Sequence, residues 1–358
     1  MIPDAVCLED YEAHARAVLS QSAADYVGGG SGTEWTVDAN RRALDGVSVY
    51  PRVLPGKASD PATSLFDTNL SMPIVVAPMA YQQMLHADGE LAMATAAAAA
   101  GVPMALSTLS SYAIEPVAKT GADLWFQLYW VKERPLLESL IDRAEAAGCR
   151  ALIVTVDLPV LGRRRRDLRN AFHLPPDVIA ANLVDHDAVT ASHTGVEGRS
   201  ALAAHTADMI GPALTWNDLA WLRTRTRLPL IVKGILDPRD AVRAEGIGAD
   251  GVVVSNHGGR QLDGAPASID ALPLVVDAVE VPVLMDSGIR SGTDVLRALA
   301  LGARAVLLGR PLLWALAVGQ ATQALELLRS EVTDALTLAG CPRPADATSL
   351  RTNRRGAQ

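Results

Sequence analysis

His257 and Arg260 stand three residues apart at the end of a β-branched run, Val252-Val253-Val254-Ser255-Asn256-His257-Gly258-Gly259-Arg260. An imidazole exchanges a proton near neutral pH. A guanidinium offers a planar fork matched to a carboxylate. Together they suit proton transfer on an acid substrate. The two glycines between them allow backbone to pass close to a ligand. Taken alone, the segment also reads as a polar loop with a hydrogen-bonded histidine. Its place after an apolar run favours a site, because a buried parallel strand delivers its last residues to the open end of a sheet or barrel.

Such groups need a scaffold, and the chain alternates strand and helix patterns from Pro73 onward. Strands are predicted at Ile74–Ala77, Pro103–Leu106, Leu124–Tyr129, Ala151–Val156, Leu230–Lys233, Gly251–Ser255, Val283–Asp286 and Ala305–Leu308. Helical patterns fall between them, and a last helix starts near Leu312. Eight βα units predict an α/β chain folded as a (β/α)8 TIM barrel over residues 73–340. Residues 1–72 read as an N-terminal helical extension, with one helix over about 8–26 ended by Gly28-Gly29-Gly30-Ser31-Gly32. A long insertion over 158–214 follows strand 4 and reads as a lid on the barrel mouth. Residues 341–358 form a C-terminal tail, and the whole of 1–358 reads as one domain.

The strand ends carry chemistry that packing does not demand. They are Ala77-Pro78-Met79-Ala80, Ser107-Thr108, Gln127-Leu128-Tyr129, Thr155-Val156-Asp157, Lys233-Gly234, Ser255-Asn256-His257, Asp286-Ser287-Gly288-Ile289-Arg290 and Gly309-Arg310. Each alone could be a cap or turn, and together they describe a polar pocket. Glycines and arginines after strands 7 and 8 occupy the usual phosphate site of barrel enzymes. No GxGxxG follows a first strand, so a Rossmann dinucleotide site is unsupported. Lys233, after an apolar run, reads as a buried cation in want of an anion.

Composition narrows the classes. The chain has 358 residues, 49% hydrophobic and 20% charged, with a net charge of −8. That describes a soluble globular protein and argues against a nucleic-acid partner. Three scattered cysteines give neither a disulfide framework nor a zinc site, which fits a reducing cytoplasm. No signal peptide, membrane span or peroxisomal address is apparent. Four histidines fall in the insertion, and Asp185-His186-Asp187 reads as solvated surface, so no metal site is expected.

SNHGGRQLDG closely resembles the signature of the FMN-dependent 2-hydroxy acid oxidase and dehydrogenase family, and the similarity covers nearly the whole chain. The resemblance implies FMN as cofactor, its phosphate held by Gly288, Arg290, Gly309 and Arg310. It implies flavin-ring contacts from Ser107, Gln127, Thr155 and backbone around Ala77, Pro78 and Met79, with Ser255, Asp286, Ser287 and Ile289 completing the cofactor set. Lys233 would offset negative charge on the reduced flavin. His257 would be the base, oriented by Asp157. Arg260 would clamp the substrate carboxylate together with Arg164, singled out from the basic run LGRRRRD by likeness to the family's LGRRE. Tyr129 and Tyr26 would hydrogen-bond the substrate, although composition alone leaves Tyr26 as a cap on a helix face.

The implied reaction is oxidation of an (S)-2-hydroxy acid to its 2-keto acid. Ala80 matches the family's oxidases, implying oxygen as acceptor, and Leu109 replaces the tryptophan of glycolate oxidases, implying room for a larger side chain. GGGSGTEWTVDANR, MAYQQMLHADGE and FQLYWVKERP look most like the family's 4-hydroxymandelate oxidases. Met79, Tyr81, Leu109 and Trp130 would then form an aryl pocket. A lactate or glycolate oxidase, a dehydrogenase using a non-oxygen acceptor, and a non-catalytic FMN-binding scaffold stay open. Family tetramers suggest a homo-oligomer.

Overall fold

A computed structural model describes residues 5–183 and 214–354. Eight parallel strands form a closed barrel: β1 (Ile74–Val76), β2 (Met104–Ser107), β3 (Leu124–Leu128), β4 (Ala151–Thr155), β5 (Leu230–Ile235), β6 (Gly251–Val254), β7 (Val283–Met285) and β8 (Ala305–Leu308). Val306 opposite Ile74 joins the last strand to the first. Both strand faces are covered, which is why these segments read as continuous apolar runs and not as alternating patterns. Val75, Ala105, Ile153, Val253 and Leu307 fill the barrel, while Ile74, Val76, Leu152, Val154, Val252 and Val254 pack with the outer core.

A two-stranded hairpin, Thr63–Leu65 with Thr68–Leu70, closes the N-terminal end. Its two turn residues, Phe66 and Asp67, both have positive φ (48° and 57°), the geometry of a tight hairpin turn. Phe66 meets Trp125 inside the barrel edge-on at 5.6 Å, and Leu65 and Leu70 join the interior core. With that end plugged, ligand access is left to the C-terminal ends of the strands.

Three expectations change in detail. The single helix over 8–26 is two, Leu8–Val18 and Gln21–Gly28. Between them Leu19 and Ser20 are extended, and Ser20 Oγ accepts from the Ala23 N–H, so a local cap starts a new helix in place of continuing the old. A third helix, Trp35–Asp45, follows the glycine run and buries Thr36, Ala39, Asn40 and Leu44. The last helical stretch also divides, into Arg310–Ala317 and Ala321–Ala339. The C-terminal tail is structured as well, Thr352–Arg354 pairing antiparallel with Val47–Val49.

Of the insertion, residues 158–183 include a short helix, Arg165–Arg169, and a 3-10 turn, Ala181–Leu183. Residues 184–213, with Asp185-His186-Asp187, lie outside the described residues. Among the described residues no helix is long and apolar enough to cross a membrane.

Candidate active site at the barrel mouth

A cavity enclosing about 1170 Å³ of empty space, partly open to solvent, lies where the strands end. It is lined by Ala77, Pro78 and Met79 after β1, Ser107 on β2, Tyr129 after β3 and Thr155 on β4. Lys233 of β5, His257 and Arg260 after β6, Asp286–Arg290 after β7 and Gly309-Arg310 after β8 complete the ring. Tyr26 reaches it from the N-terminal extension and Arg164 from the insertion. Three expected residues stand behind the wall instead. Asp157 backs His257, Ser255 backs Lys233, and Gln127 supports Ser107 and Thr155 through bonds of 3.2 and 3.0 Å. The guessed aryl-pocket lining is corrected at one position. Met79, Tyr81 and Leu109 face the cavity, whereas Trp130 packs edge-on against Trp221 beneath Arg134.

The candidate base, His257, is held tightly. His257 Nδ1 lies 2.8 Å from Asp157 Oδ1. With Nδ1–H donated to the carboxylate, Nε2 keeps its lone pair. Burial pushes the imidazole pKa down and the Asp157 charge pulls it up, with a net lowering from the ordinary value. Asp157 is pushed up by burial but held below the usual carboxylate range by His257 and Lys233. His257 is therefore neutral at pH 7, the form able to accept a proton.

His257 sits at φ 58°, a strained backbone for a non-glycine residue. Its N–H bonds Ser255 Oγ at 3.0 Å. The preceding Asn256 is locked to Asn40 by reciprocal amide bonds of 3.0 and 2.8 Å. Asn40 is a positioning residue that sequence reasoning missed, since its only signal was membership of the DANR segment.

Asp157→Asn is expected to move the acidic limb of kcat/KM to lower pH while lowering kcat. The carboxylate charge raises the His257 pKa, so its removal lets burial depress that pKa further. A pH-rate profile whose limb stays in place would overturn the pairing. Gly234 guards the same pair from the β5 side. It sits at φ 112° beside a register shift in β5, and a Cβ there would lie 2.6 Å from the Asp157 Cβ. Gly234→Ala is expected to cost about 1–3 kcal/mol of stability by strain and to reduce turnover by displacing Asp157; a wild-type melting temperature and kcat would contradict this.

Arg164, Arg260, Tyr26 and Tyr129, the residues expected to bind a substrate carboxylate, line one cavity together. Arg260 Nη1 donates to the Tyr26 and Gly29 carbonyls at 2.7 and 2.8 Å. Burial and the nearby Arg164 lower its pKa to about 10. Within LGRRRRD, Arg163 and Arg165 are exposed as expected of a basic run, but Arg164 is buried, and its Nε has no partner among the described residues. The insertion is tied down by Arg166, paired with Asp25 and Glu34, and by Phe172 stacked 4.7 Å from the Tyr26 ring. Leu158 and Leu161, also from the insertion, line the cavity. None of these was singled out from the sequence, because their partners are more than a hundred residues away.

The opposite side is cationic. Lys233 Nζ lies 3.0 Å from both Asp286 Oδ2 and Ser255 Oγ. The expectation of an unpaired buried lysine is thus corrected: burial pushes its pKa down, but Asp286 and Asp157 outweigh it and the net shift is upward. Among the described residues Arg310 donates only to carbonyls, those of Val27, Gly29 and Gly258. Burial and the charges of Arg260, Arg290 and Arg164 hold its pKa well below the ordinary value. None of Arg164, Arg260, Arg290 and Arg310 is ion-paired with a carboxylate among the described residues. Buried, mutually repelling cations are relieved by an anion. The helix Arg310–Ala317 also begins here, and a helix N-terminus suits a phosphate.

The profile of the FMN-dependent dehydrogenase family matches residues 15–354. The chain belongs to that family. It is 51% identical to the 4-hydroxymandelate oxidase of Amycolatopsis orientalis, over 97% of this chain and 98% of that one. It is 48% identical to the L-lactate oxidase of a Nostoc species, over 96% and 97%. A crystal structure of mandelate oxidase with (S)-4-hydroxymandelic acid superposes with a TM-score of 0.94 at 49% identity, covering 98% and 99% of the two chains. The cationic loops after β7 and β8 fit the phosphate of the family's cofactor. The polar ring of Ser107, Thr155 and Lys233 fits a flavin edge that hydrogen-bonds and gains negative charge.

Proposed function

We propose that this FMN-dependent enzyme oxidises an (S)-2-hydroxy acid with an aryl side chain, (S)-4-hydroxymandelate or mandelate, to the arylglyoxylate, with O2 reduced to H2O2. The observation that carries this reading is one cavity in which a neutral, carboxylate-oriented histidine faces a buried arginine, Arg164, and a half-buried one, Arg260, neither with a carboxylate partner among the described residues. Arg164 and Arg260 hold the substrate carboxylate. Tyr129 and Tyr26 hydrogen-bond the carboxylate or hydroxyl. His257 Nε2 takes a proton from the substrate, and Asp157 stabilises the imidazolium that results. Gly288, Arg290, Gly309 and Arg310 would hold FMN, which would supply the two-electron redox chemistry linking the substrate to oxygen. Lys233 supplies a fixed positive charge beside it, and Asp286 keeps that lysine protonated.

The aryl assignment is supported by the apolar wall of Met79, Leu109, Leu158 and Leu161 and by the likeness to 4-hydroxymandelate oxidase. Oxygen as acceptor is supported by Ala80 at the cavity wall and by the oxidase names of both relatives. Two buried, free cysteines, Cys149 and Cys341, favour a reducing cytoplasm. The test is anaerobic mixing of the yellow holoenzyme with (S)-4-hydroxymandelate, followed by air. Rapid bleaching and rapid return of the flavin absorbance are expected. Bleaching without return makes it a dehydrogenase. Bleaching only by lactate or glycolate removes the aryl assignment, and no bleaching by any 2-hydroxy acid leaves a scaffold.

A further inference from the structure

Between the end of β4 at Thr155 and the helix that begins at Arg165, residues 156–164 belong to no helix or strand. This irregular stretch nevertheless carries two residues that must stand in fixed places. Asp157 at its start lies 2.8 Å from His257 Nδ1, and Arg164 at its end lines the cavity. Their partners, His257 and Arg260, sit on the loop after β6. Strands β4 and β6 are not neighbours, because β5 lies between them, and the β5–β6 register itself shifts between Lys233 and Ile235. The barrel ladder therefore does not fix one loop against the other, and loops left to themselves are mobile.

One side chain supplies the link. Gln261 Nε2 donates to the Asp157 carbonyl at 2.8 Å and to the Val160 carbonyl at 2.9 Å, and Gln261 Oε1 accepts from the Gly162 N–H at 3.0 Å. Among the described residues, these are the only hydrogen bonds made by the backbone of 157–162. Two carbonyls can face only the N–H side of an amide, so the orientation of the side chain is settled by its partners. Gln261 directly follows Arg260, and its own carbonyl accepts from Ser31 Oγ. The two loops pack closely at Gly162, where a Cβ would lie 2.9 Å from Gln261 Cα. Gln261 itself stands outside the cavity wall, so its influence falls on where other groups sit.

We propose that Gln261 is a positioning residue that sets the spacing between the two halves of the site, holding Asp157 to His257 and Arg164 beside Arg260. This rests on the roles given above to those four residues. A displacement of about 1 Å in such a constellation costs about 10²-fold in rate.

The experiment compares the holoenzyme with Gln261→Met, which keeps a similar length but removes all three bonds, every quantity being taken per bound FMN. The kcat/KM for (S)-mandelate is expected to fall about 10²-fold. The acidic limb of kcat/KM should move to lower pH, because a displaced Asp157 raises the His257 pKa less. The dissociation constant of benzoylformate, read from the flavin spectrum, should rise as Arg164 shifts. Combined with Asp157→Asn, Gln261→Met should leave the limb where Asp157→Asn alone puts it, since both act through one carboxylate. Gln261→Asn, an amide one methylene short, should change each quantity in the same direction by less. A variant that loses thermal stability or FMN but keeps the original kcat/KM, limb and dissociation constant would make Gln261 merely structural and overturn the proposal. A further measurement needs no variant to fold: the Gly162 N–H of the unmodified holoenzyme should exchange slowly with solvent, and exchange at the rate of a free amide would overturn it too. If no 2-hydroxy acid reduces the flavin of the unmodified enzyme, the functional reading has failed and the proposal falls with it. If reduction proceeds and the variants match it, only the role of Gln261 has failed.

Discussion

Replacing His257 with glutamine lowers kcat about 10²–10⁴-fold while FMN stays bound. The expectation follows from the division of labour around the imidazole. Asp157 engages Nδ1 at 2.8 Å, which leaves Nε2 as the proton acceptor on the cavity side. Glutamine can still donate to Asp157, so the buried carboxylate is not stranded, but an amide has no basic nitrogen. The proposed FMN phosphate side, Arg290 and Arg310, is supplied by other strands and is not touched. Anaerobic stopped-flow mixing checks this by following flavin reduction directly. The acidic limb in kcat/KM, set by the depressed His257 pKa, should disappear together with the rate. Flavin reduction at the wild-type rate would remove His257 from the chemistry.

Arg164→Met lowers kcat/KM about 10²–10³-fold with little change in thermal stability. The two arginines at the carboxylate end differ in what else they do. Arg260 braces the Tyr26 and Gly29 carbonyls, so its removal damages the loop that carries Tyr26. Arg164 is 8% exposed, and no hydrogen bond or ion pair holds its guanidinium among the described residues. It also lies close enough to Arg260 and Arg310 to depress both their pKa values. Methionine fills similar space without that repulsion. The folded protein therefore loses little, and the loss falls on a substrate whose carboxylate has one partner in place of two. Steady-state kinetics and a melting curve on the same preparation test it. A KM within twofold of wild type would show that Arg164 does not touch the substrate.

The barrel was readable because its strands are covered on both faces and therefore spell themselves as short unbroken apolar runs, each ended by glycine or polar residues. The (β/α)8 rhythm needs no long-range knowledge, since each βα unit is local. The same locality made His257 and Arg260 conspicuous, three residues apart on one loop. Residues 158–183 were the weakest stretch, because a segment stabilised by distant partners has no period of its own. In the N-terminal extension, Ser20 ended one helix and capped the next, a choice made by a single side-chain bond that helical spacing does not register.

By itself, then, the chain determined which barrel side chains arrive at the mouth: they lie at or just after the ends of locally encoded strands, whereas Tyr26 and Arg164 come from outside the barrel. Only the tertiary structure decided which of them act together. Lys233 meets Asp286 because β5 and β7 end on the same rim, and no spacing in the chain announces that ion pair. Arg164 is buried and Arg163 exposed because the insertion turns once over Tyr26, a difference invisible in a run of four arginines. Trp130 left the pocket because Trp221 and Arg134 offered it a better-packed surface. Glu90 joins the loops after β1 and β2 by accepting from the Gln82 and Ser111 N–H groups, a bridge that no spacing in the chain announces. Strand ends follow from local hydrophobic pattern, whereas pairing, burial and the electrostatics that set a pKa depend on neighbours that only closure of the barrel brings within reach.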